Sequence, residues 1–376
     1  MSQKRIAIIH FYPLEFFPPV TNLLVFLSSS FPKLNFLVCS THNNKNRKIF
    51  QLQGAKLKRY ALPKIEDNAI VRAFKYALFY ISSLVNLILK KPDIVIYYES
   101  ISSWPVYIYS KYINKKCEVV IHYHEYASLE WYSKYMKLVK YFHKLERSYL
   151  YDRAVWISQT NQHRLKMFRD DNPKNKFQKL HVLPNYPPKN WRVSKGLKKE
   201  SDKIRVVYVG SLSFEGTLIQ EFCLWVNSQS HIIFDIYSYN LHSEVRSFLN
   251  EFKGGQINFY DGGIDYQEIP KVLKQYDVGV ILHKAYNENY KYNATNKLFE
   301  YLICDLDVWF PNEMIGCHEF VTKGSWPEVI GLDFNNLDMC KSIINTDRKE
   351  LVYKPKLYFS EDTFKIMADF LFKNRI

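Results

Sequence analysis

The stretch YNATNKLFEYL, residues Tyr292–Leu302, follows a strand-like run, Asp277–His283, across a polar, Tyr-rich segment. This order predicts a strand, a loop and then a helix that begins with Thr295 as its N-cap. A helix start presents unpaired backbone N–H groups and the positive end of the helix dipole. Such a start suits the oxygens of a phosphate group, so the stretch predicts an α/β fold with a phosphate site.

Two charged side chains follow the predicted helix start. Lys297 adds a full positive charge there, and Glu300 lies three residues further on, within reach of Lys297 on a helix. A carboxylate offers only hydrogen-bond acceptors, so Glu300 can bind the hydroxyls of a ribose. The same spacing fits an ordinary buried helix in which Glu300 only pairs with Lys297. The residues alone leave both interpretations open.

The run Thr295–Leu302 resembles the signature of the group 1 glycosyltransferases, which have the GT-B fold and use nucleotide-sugar donors. The resemblance implies that Glu300 holds the donor ribose. It also implies that the helix start faces the donor diphosphate, which involves Thr295, Asn296 and Lys297. The family pattern carries a second acidic residue eight positions before Glu300, where this chain has Tyr292. Retaining and inverting transfer therefore both stay open.

Two glycine turns in the second half of the chain resemble the same family. Gly210 and Ser211 follow the strand-like run Ile204–Val209, and Gly263 and Ile264 follow another, Ile257–Tyr260. The resemblance implies that the first turn borders the diphosphate and that the backbone after the second meets the nucleobase. A Lys or Arg commonly follows the first turn in the family, whereas this chain has Glu215-Gly216.

Polar side chains end a strand in the first half of the chain. The run Cys117–Glu125 is strand-like and ends in His124 and Glu125. Ligands of open α/β sheets collect at the carboxyl ends of strands. The pair resembles the His-Asp or His-Glu dyad of many group 1 enzymes, which implies a place at the reacting centre. In retaining transfer His124 would contact the donor sugar, and in inverting transfer Glu125 would be the base for the acceptor hydroxyl.

The length of 376 residues suits two domains. We predict two Rossmann-like domains in the GT-B arrangement, with residues 1–187 as the acceptor-binding domain and 188–203 as a polar, basic linker. Residues 204–358 are predicted to bind the nucleotide-sugar. Residues 359–376 are predicted to form a helix that packs back on the first domain, as the resemblance implies.

The charge is divided unequally along the chain. Residues 1–200 hold 34 Lys and Arg against 13 Asp and Glu, a net charge of +21, and residues 201–376 have a net charge of −6. A basic half can bind an anionic membrane surface or nucleic acid, or can simply be solvated. A predicted helix, Trp131–Tyr151, carries a row of lysines that includes Lys134, Lys137, Lys140 and Lys144. The apolar loop Phe11–Val20 could touch a membrane or an acceptor, or could pack inside the domain.

No apolar run predicts a membrane span or a signal peptide. The longest, Tyr76–Leu89, has 14 residues, and about 20 are needed to cross a bilayer. Six scattered cysteines without a C-x-x-C pair indicate buried thiols in a reducing compartment. We therefore expect a cytoplasmic protein, peripheral on the inner face of the cell membrane.

These observations predict a hexosyltransferase-like enzyme that needs no metal and no cofactor. Its expected partners are a nucleotide-sugar donor, a lipid-linked saccharide acceptor of bacterial O-antigen or capsule synthesis, and the anionic inner leaflet, with no nucleic acid. The sequence has no P-loop and no G-x-G-x-x-G motif, which weighs against kinases and dehydrogenases. A sugar-nucleotide epimerase on the same fold remains open, as does a non-enzymatic protein that binds membranes or nucleic acid.

Overall fold

The structure is a computed structural model that describes residues 4–42, 49–134, 137–174, 177–192, 203–239, 241–252, 254–340 and 351–372. The chain divides into two compact units. Unit 1 comprises Met1–Asn185 and Ser360–Ile376, and unit 2 comprises Tyr186–Phe359. The predicted linker falls at the start of unit 2, and its residues 193–202 lie outside the described part of the chain.

Seven parallel strands form the described sheet of unit 1. They are β1 (Arg5–His10), β2 (Asn35–His42), β3 (Ala55–Ala61), β4 (Ile94–Tyr98), β5 (Glu118–His122), β6 (Ala154–Gln159) and β7 (Leu180–Val182). Their order is β3-β2-β1-β4-β5-β6-β7. The order reverses between β1 and β4, and this topological switch point is where open α/β sheets bind ligands.

Helices cover both faces of this sheet, which explains why runs such as Ile6–Ile9 are apolar on both sides. The helices between its strands are α1 (Pro18–Ser30), α2 (Ala69–Lys90), α3 (Ser103–Ile108), α4 (Leu129–Lys134), α5 (Lys137–Leu145), α6 (Tyr151–Arg153) and α7 (Gln162–Asp171). Tyr80 of α2 contacts Trp104 of α3 and Phe142 of α5, with ring centroids 6.0 and 5.1 Å apart. Helices α2, α3 and α5 therefore form one layer on one face.

Unit 2 repeats this plan with a six-stranded parallel sheet among the described residues. Its strands are β8 (Ile204–Val209), β9 (Ile232–Tyr237), β10 (Ile257–Tyr260), β11 (Val278–Val280), β12 (Asp307–Pro311) and β14 (Val329–Leu332). Their order is β10-β9-β8-β11-β12-β14, so the switch point lies between β8 and β11. A separate pair consists of β13 (Ser325–Trp326) and β15 (Val352–Tyr353).

The helices of unit 2 are α8 (Ile219–Asn227), α9 (Ser243–Asn250), α10 (Ile269–Leu273), α11 (Glu288–Lys291) and α12 (Asn296–Ile303). Helix α12 packs closely on the central strand β11. A Cβ atom built on Gly279 of β11 would lie 2.1 Å from a ring carbon of Tyr301. The Tyr301 hydroxyl also accepts a hydrogen bond from the Val209 N–H, at 3.2 Å. The glycine and the tyrosine together fix α12 against the sheet.

After unit 2 the chain returns to unit 1 as α13 (Ser360–Phe372). Phe364, Met367 and Leu371 of this helix are at most 3% exposed and join the core beneath α1. Phe26 of α1 and Phe364 lie 5.8 Å apart, centroid to centroid. The predicted fold class, two Rossmann-like domains with a C-terminal helix on the first, is confirmed.

Two local features of unit 1 bear on the sequence analysis. The loop Phe11–Val20 places Phe11, Leu14 and Val20 inside unit 1, where each is at most 2% exposed. It therefore offers these side chains to neither a membrane nor an acceptor. The predicted helix Trp131–Tyr151 is helical in all of its described residues, in α4, α5, a π-helical turn and α6. The π-helical turn, Glu146–Leu150, directs Glu146 into the core, where Tyr97 and Tyr123 donate hydrogen bonds to it at 2.9 and 2.8 Å.

Helix α2 extends beyond the longest apolar run of the sequence, Tyr76–Leu89. Its 22 residues make it long and apolar enough, by length and composition, to cross a membrane. Core helices of soluble proteins can meet the same criterion. However, only 22% of the most apolar stretch of α2 is buried, whereas a core helix is mostly buried.

Candidate active site

The switch point of unit 2 gathers several of the predicted donor-binding residues. Gly210 and Ser211 directly follow β8, and the Gly210 N–H donates to the Tyr237 carbonyl of neighbouring β9 at 3.0 Å. Strand β11, on the other side of β8, leads through His283 and the short helix α11 into α12. Both chain segments therefore leave the sheet at its carboxyl edge, where a ligand can reach them.

Helix α12 begins where the sequence predicts, with Thr295 at the N-cap and Asn296 and Lys297 in its first turn. The backbone of Thr295 has the extended conformation of an N-cap, but its side chain does not cap the helix. The buried Thr295 Oγ1 has no hydrogen-bond partner among the described residues. A buried hydroxyl without a partner is costly, so this position favours a polar ligand at the helix start.

Glu300 lies one turn into α12 and is only 3% exposed. Its Oε2 accepts a hydrogen bond from Lys297 Nζ at 2.7 Å. The pairing that the sequence analysis weighed is therefore present, and it holds the carboxylate at the carboxyl edge of the sheet. Burial, followed by the charge of Lys297, lowers the pKa of the neighbouring His283 to about 4. His283 is thus neutral at physiological pH.

A second lysine reaches the same edge without having been predicted. The Lys284 N–H donates to the Gly216 carbonyl at 3.0 Å, and its Nζ donates to the Phe214 carbonyl at 2.8 Å. The loop after β8, which lacks the basic residue common in the family, therefore holds an ammonium group from the segment after β11. Residue 284 is about 70 positions from that loop in sequence, so only the sheet order could have revealed it.

Gly263 and Ile264 follow β10, at the far side of the same sheet edge. Gly263 has φ +59°, and a Cβ atom there would lie 2.4 Å from the Tyr239 ring. Glycine is therefore required twice, by the left-handed backbone and by the close tyrosine. The predicted donor-binding residues of unit 2 are thus spread along one edge, from β10 to the start of α12.

The switch point of unit 1 gathers polar groups that follow β1, β4 and β5. His10 ends β1, Glu99 follows β4, and His124 lies two residues beyond β5. The rings of His10 and His124 are 6.2 Å apart, and those of His122 and His124 are 4.9 Å apart. The three histidine rings His10, His122 and His124 therefore form one contacting group at this edge.

His124 is buried and fixed on several sides. Its ring stacks on Tyr98 at 5.1 Å, and its carbonyl accepts from Arg164 Nη1 at 2.8 Å. Its backbone N–H donates to Glu99 Oε1 at 2.6 Å. Burial lowers its pKa to about 4, against an opposing contribution from the Asn185 side chain. His124 is therefore a neutral, oriented imidazole at physiological pH.

Glu125 and Glu99 form a carboxylate pair beside this histidine. Glu125 is exposed, so a substrate can reach it. Glu99 has a left-handed backbone with φ +61°, which is rare for a residue other than glycine. Burial first, and the charge of Glu125 second, raise the pKa of Glu99 to about 8. One member of the pair therefore holds a proton at neutral pH while the other faces solvent.

Sequence reasoning found His124 and Glu125 but missed His10, Glu99 and Asn185 as parts of the same cluster. The signal for His10 and Glu99 was present, because each is a polar residue at the end of a buried strand. Their proximity follows from the strand order, which places β1 beside β4 and β4 beside β5. Asn185 lies near the end of the predicted first domain, residues 1–187, where no strand pattern marked it as part of a site.

Two Rossmann-like units, each with polar residues at its switch point, define the GT-B architecture. No protein-family model and no curated protein sequence matches the chain. Solved structures do match over nearly the whole length. They include the lipopolysaccharide outer core galactosyltransferase WaaB, with 15% identity, coverage of 98% of this chain and 99% of that one, and a TM-score of 0.60.

Two further solved structures match over a similar length. HepE from Anabaena, in complex with UDP and glucose, has 11% identity and a TM-score of 0.61 over 98% of this chain and 95% of that one. UDP-GlcNAc 2-epimerase from Methanocaldococcus jannaschii has 10% identity and a TM-score of 0.60 over 98% and 99%. At these identities the matches establish the fold alone.

Proposed function

We propose that this protein is a glycosyltransferase that moves a sugar from a nucleotide-sugar donor to a saccharide acceptor. The observation that carries the proposal is the buried Glu300 beside Lys297, one turn into α12 at the switch point of unit 2. A buried carboxylate is costly unless it is paired, and this pair sits at the edge where ligands of open sheets bind. In this proposal Glu300 would accept the hydrogen bonds of the ribose hydroxyls, next to Lys297 as a charge partner for the diphosphate.

The donor would lie along the carboxyl edge of the unit 2 sheet. Glu300 accepts hydrogen bonds from the ribose hydroxyls, and the start of α12 with Lys297 faces the diphosphate. Lys284 adds the positive charge that the loop after β8 lacks. We propose that these charges neutralise the diphosphate without a metal ion. The base would lie against Gly263 and Ile264, and the UDP complex of HepE supports a uridine nucleotide.

The reacting centre would use His124 and Glu125 of unit 1. The neutral imidazole of His124 can exchange hydrogen bonds with the hydroxyls of the donor sugar in retaining transfer. The exposed carboxylate of Glu125 can instead take the proton of the acceptor hydroxyl in inverting transfer. Position 292, where the family pattern has a second carboxylate, is tyrosine in this chain. Retaining and inverting transfer therefore both stay open.

The acceptor would be a lipid-linked saccharide of bacterial surface polysaccharide synthesis, such as O-antigen or capsule. The net charge of +21 in residues 1–200 supports a peripheral position on the anionic inner face of the cell membrane. The fold match to a lipopolysaccharide galactosyltransferase supports the same class of acceptor. We propose a cytoplasmic protein that reaches this acceptor at the membrane surface and binds no nucleic acid.

The experiment is a thermal-shift screen of nucleotide-sugars, because binding to the folded state raises the melting temperature. The ligand found is then titrated against Glu300→Gln and Lys297→Ala. Each substitution should weaken binding about tenfold or more, since a charged hydrogen bond contributes about 1.5–3 kcal/mol. Glu251→Gln, at an exposed position of unit 2 after α9, is the control and should bind as the wild type does. Unchanged affinity in both site variants would refute the donor site.

The same ligand then serves in a turnover assay with His124→Ala and Glu125→Ala. Each variant should lose about a hundredfold or more in turnover while keeping nucleotide affinity, because the reacting groups act after donor binding. The anomer of the product, measured by NMR, decides between retention and inversion. Normal turnover in both variants would place the chemistry elsewhere.

A sugar-nucleotide epimerase is the second candidate, and the pair of carboxyl groups favours it. Glu99 with its raised pKa and the exposed Glu125 could donate and accept a proton at one carbon of the sugar. The fold match to UDP-GlcNAc 2-epimerase supports this alternative. Incubation with the nucleotide-sugar alone distinguishes the two. An epimerised sugar without added acceptor would favour the epimerase, and an unchanged donor would favour the transferase.

A further inference from the structure

Helix α2 turns an apolar stripe toward solvent. The stripe consists of Ile70, Phe74, Ala77, Ile81, Val85 and Ile88. Successive members are three or four residues apart, so they lie along one side of the helix. Phe74 is 66% exposed, Ile81 57% and Ile70 83%. An amphipathic helix of a soluble domain normally directs such a stripe into the core, so the orientation of α2 requires a partner.

The opposite side of α2 is already packed. Phe79, Tyr80 and Leu87 are at most 6% exposed and join the core of unit 1. The Tyr80 hydroxyl also donates to the Ile101 carbonyl at 3.0 Å. Leaving the sheet to cross a bilayer would break this packing and expose the core beneath it. The helix can therefore lie flat against the surface of a partner, with its exposed stripe facing that partner. At 1.5 Å per residue its 22 residues span about 33 Å.

The charged residues of helices α2 and α5 are all basic, and α3 has no charged residue. Helices α2, α3 and α5 contain no Asp or Glu in their sequences. Helix α5 lies beside α2 through the contact of Tyr80 with Phe142, and it exposes Lys137, Lys140 and Lys144. The layer thus combines an exposed apolar stripe on α2 with a row of exposed lysines on α5, and this combination complements a surface that is apolar inside and anionic at its edge. A bilayer with acidic headgroups has that composition.

A second copy of the chain fits this layer less well. Pairing two copies through α2 would bring the lysine rows of both α5 helices into one interface, where like charges repel. We therefore propose that the exposed stripe of α2 inserts into the surface of an anionic bilayer while the lysines of α5 contact its headgroups. The choice of a membrane as partner rests on the proposed function. The inference adds which surface of unit 1 contacts that membrane.

The test is co-sedimentation of the full-length protein with phosphatidylglycerol-containing vesicles and with neutral phosphatidylcholine vesicles. The variant combines Phe74→Glu and Ile81→Glu, both at exposed positions, so the fold should survive. Ile366→Glu is the control, because Ile366 is 65% exposed but lies on α13, which packs with α1 and not with the α2 layer. The wild type and the control should bind anionic vesicles, and the double variant should bind about tenfold or more weakly.

A second arm replaces Lys137, Lys140 and Lys144 with Gln, which should reduce binding to anionic vesicles and its dependence on salt. Sedimentation velocity and nucleotide thermal shift are measured on every variant. Equal sedimentation of the double variant and wild type would refute the assignment of α2. A wild type that forms dimers and binds no vesicles, together with a monomeric double variant, would also refute the assignment. The stripe would then be an interface with a second copy of the chain. If the double variant still binds the nucleotide, its donor site is intact. Either outcome then concerns the α2 surface and not the proposed donor site.

Discussion

Glu99 combines an uncommon backbone with an uncommon protonation state. Its left-handed conformation directs the carboxylate back to the N–H of His124, at 2.6 Å. Such a conformation costs about 1–3 kcal/mol and persists only where the surroundings impose it. The bond to His124 and the neighbouring Glu125 make the residue part of the candidate site. The residue that holds the backbone of His124 in place is therefore also a residue that binds and releases a proton.

This coupling predicts a dependence of stability on pH. The pKa of Glu99 is raised to about 8 in the folded protein, above its ordinary value of 4.5. Because the folded state holds the proton more tightly, the stabilisation is present below 4.5 and is lost as the pH rises through about 8. The wild type should therefore lose stability relative to Glu99→Gln, by a few kcal/mol, between about pH 5 and about pH 9. Urea unfolding across this range measures the difference.

The control for this prediction is Glu313→Gln. Its curve of stability against pH should run parallel to that of the wild type, because Glu313 is exposed. Parallel curves for Glu99→Gln and the wild type would contradict the assigned protonation of Glu99.

The residues of the candidate site differ in how far sequence could predict them. Glu300 and Lys297 stand within one helical turn, so their spacing alone predicts their contact. His124 and Glu125 end a strand and could be assigned to the sheet edge. Lys284 could not be placed, because its contact with the loop after β8 depends on which strands are neighbours. Strand order is a long-range property that local patterns do not encode.

At the scale of elements, the helix α12 that carries Glu300 is held by its contact with β11. Gly279 has no room for a side chain, because the Tyr301 ring occupies the position of a Cβ atom. Tyr301 cannot easily move, since it is buried and its hydroxyl accepts from Val209. The position of the candidate donor site thus depends on a glycine in the neighbouring strand.

Gly279→Ala should therefore destabilise the protein by about 1–3 kcal/mol, the usual cost of overpacking a core. It should also weaken nucleotide binding, because α12 is displaced. Gly262→Ala is the control, since a Cβ atom there meets nothing within 4 Å. That variant should change stability by less than about 0.5 kcal/mol. Equal unfolding midpoints in urea for Gly279→Ala and the wild type would show that the contact is easily relieved.

Sequence patterns predicted most elements but not how α2 is oriented. The start of α2 follows a local signal, since the N-cap Asn68 accepts from the Val71 N–H at 2.9 Å. However, periodicity would direct the apolar stripe of this helix into the core, whereas the structure turns it toward solvent. The π-helical turn within the predicted helix Trp131–Tyr151 was also unpredictable, since Glu146 in that turn has its buried partners in distant segments.

At the scale of the whole molecule, the chain completes unit 1 only after it has passed through unit 2. Helix α13 contributes Phe364, Met367 and Leu371 to a core that otherwise comes from the first 185 residues. Trp156 of β6 contacts Phe370 of the same helix, with ring centroids 5.4 Å apart. The sequence analysis predicted this return from the family resemblance, whereas composition and spacing alone predicted only a helix.

A chain that ends at Phe359 should therefore lose stability in unit 1 and not in unit 2. Removing three large buried side chains exposes their partners, and each costs about 2–5 kcal/mol when truncated. Limited proteolysis should cleave unit 1 first, while nucleotide binding persists. Ile366→Ala in the full chain is the control, since this side chain is 65% exposed. Equal protease resistance of both units after truncation would contradict the role of α13.

The return of α13 also sets an order of events during translation. Ribosomes add about 5–20 residues per second, so synthesis of Tyr186–Phe359 takes roughly 10–35 s. Throughout that interval the nascent unit 1 has a sheet face whose helical cover has not yet been made. Unit 2, whose residues are contiguous, can finish folding first. The half of the protein that is translated first is therefore the half that matures later, and it depends longest on chaperones at the ribosome exit.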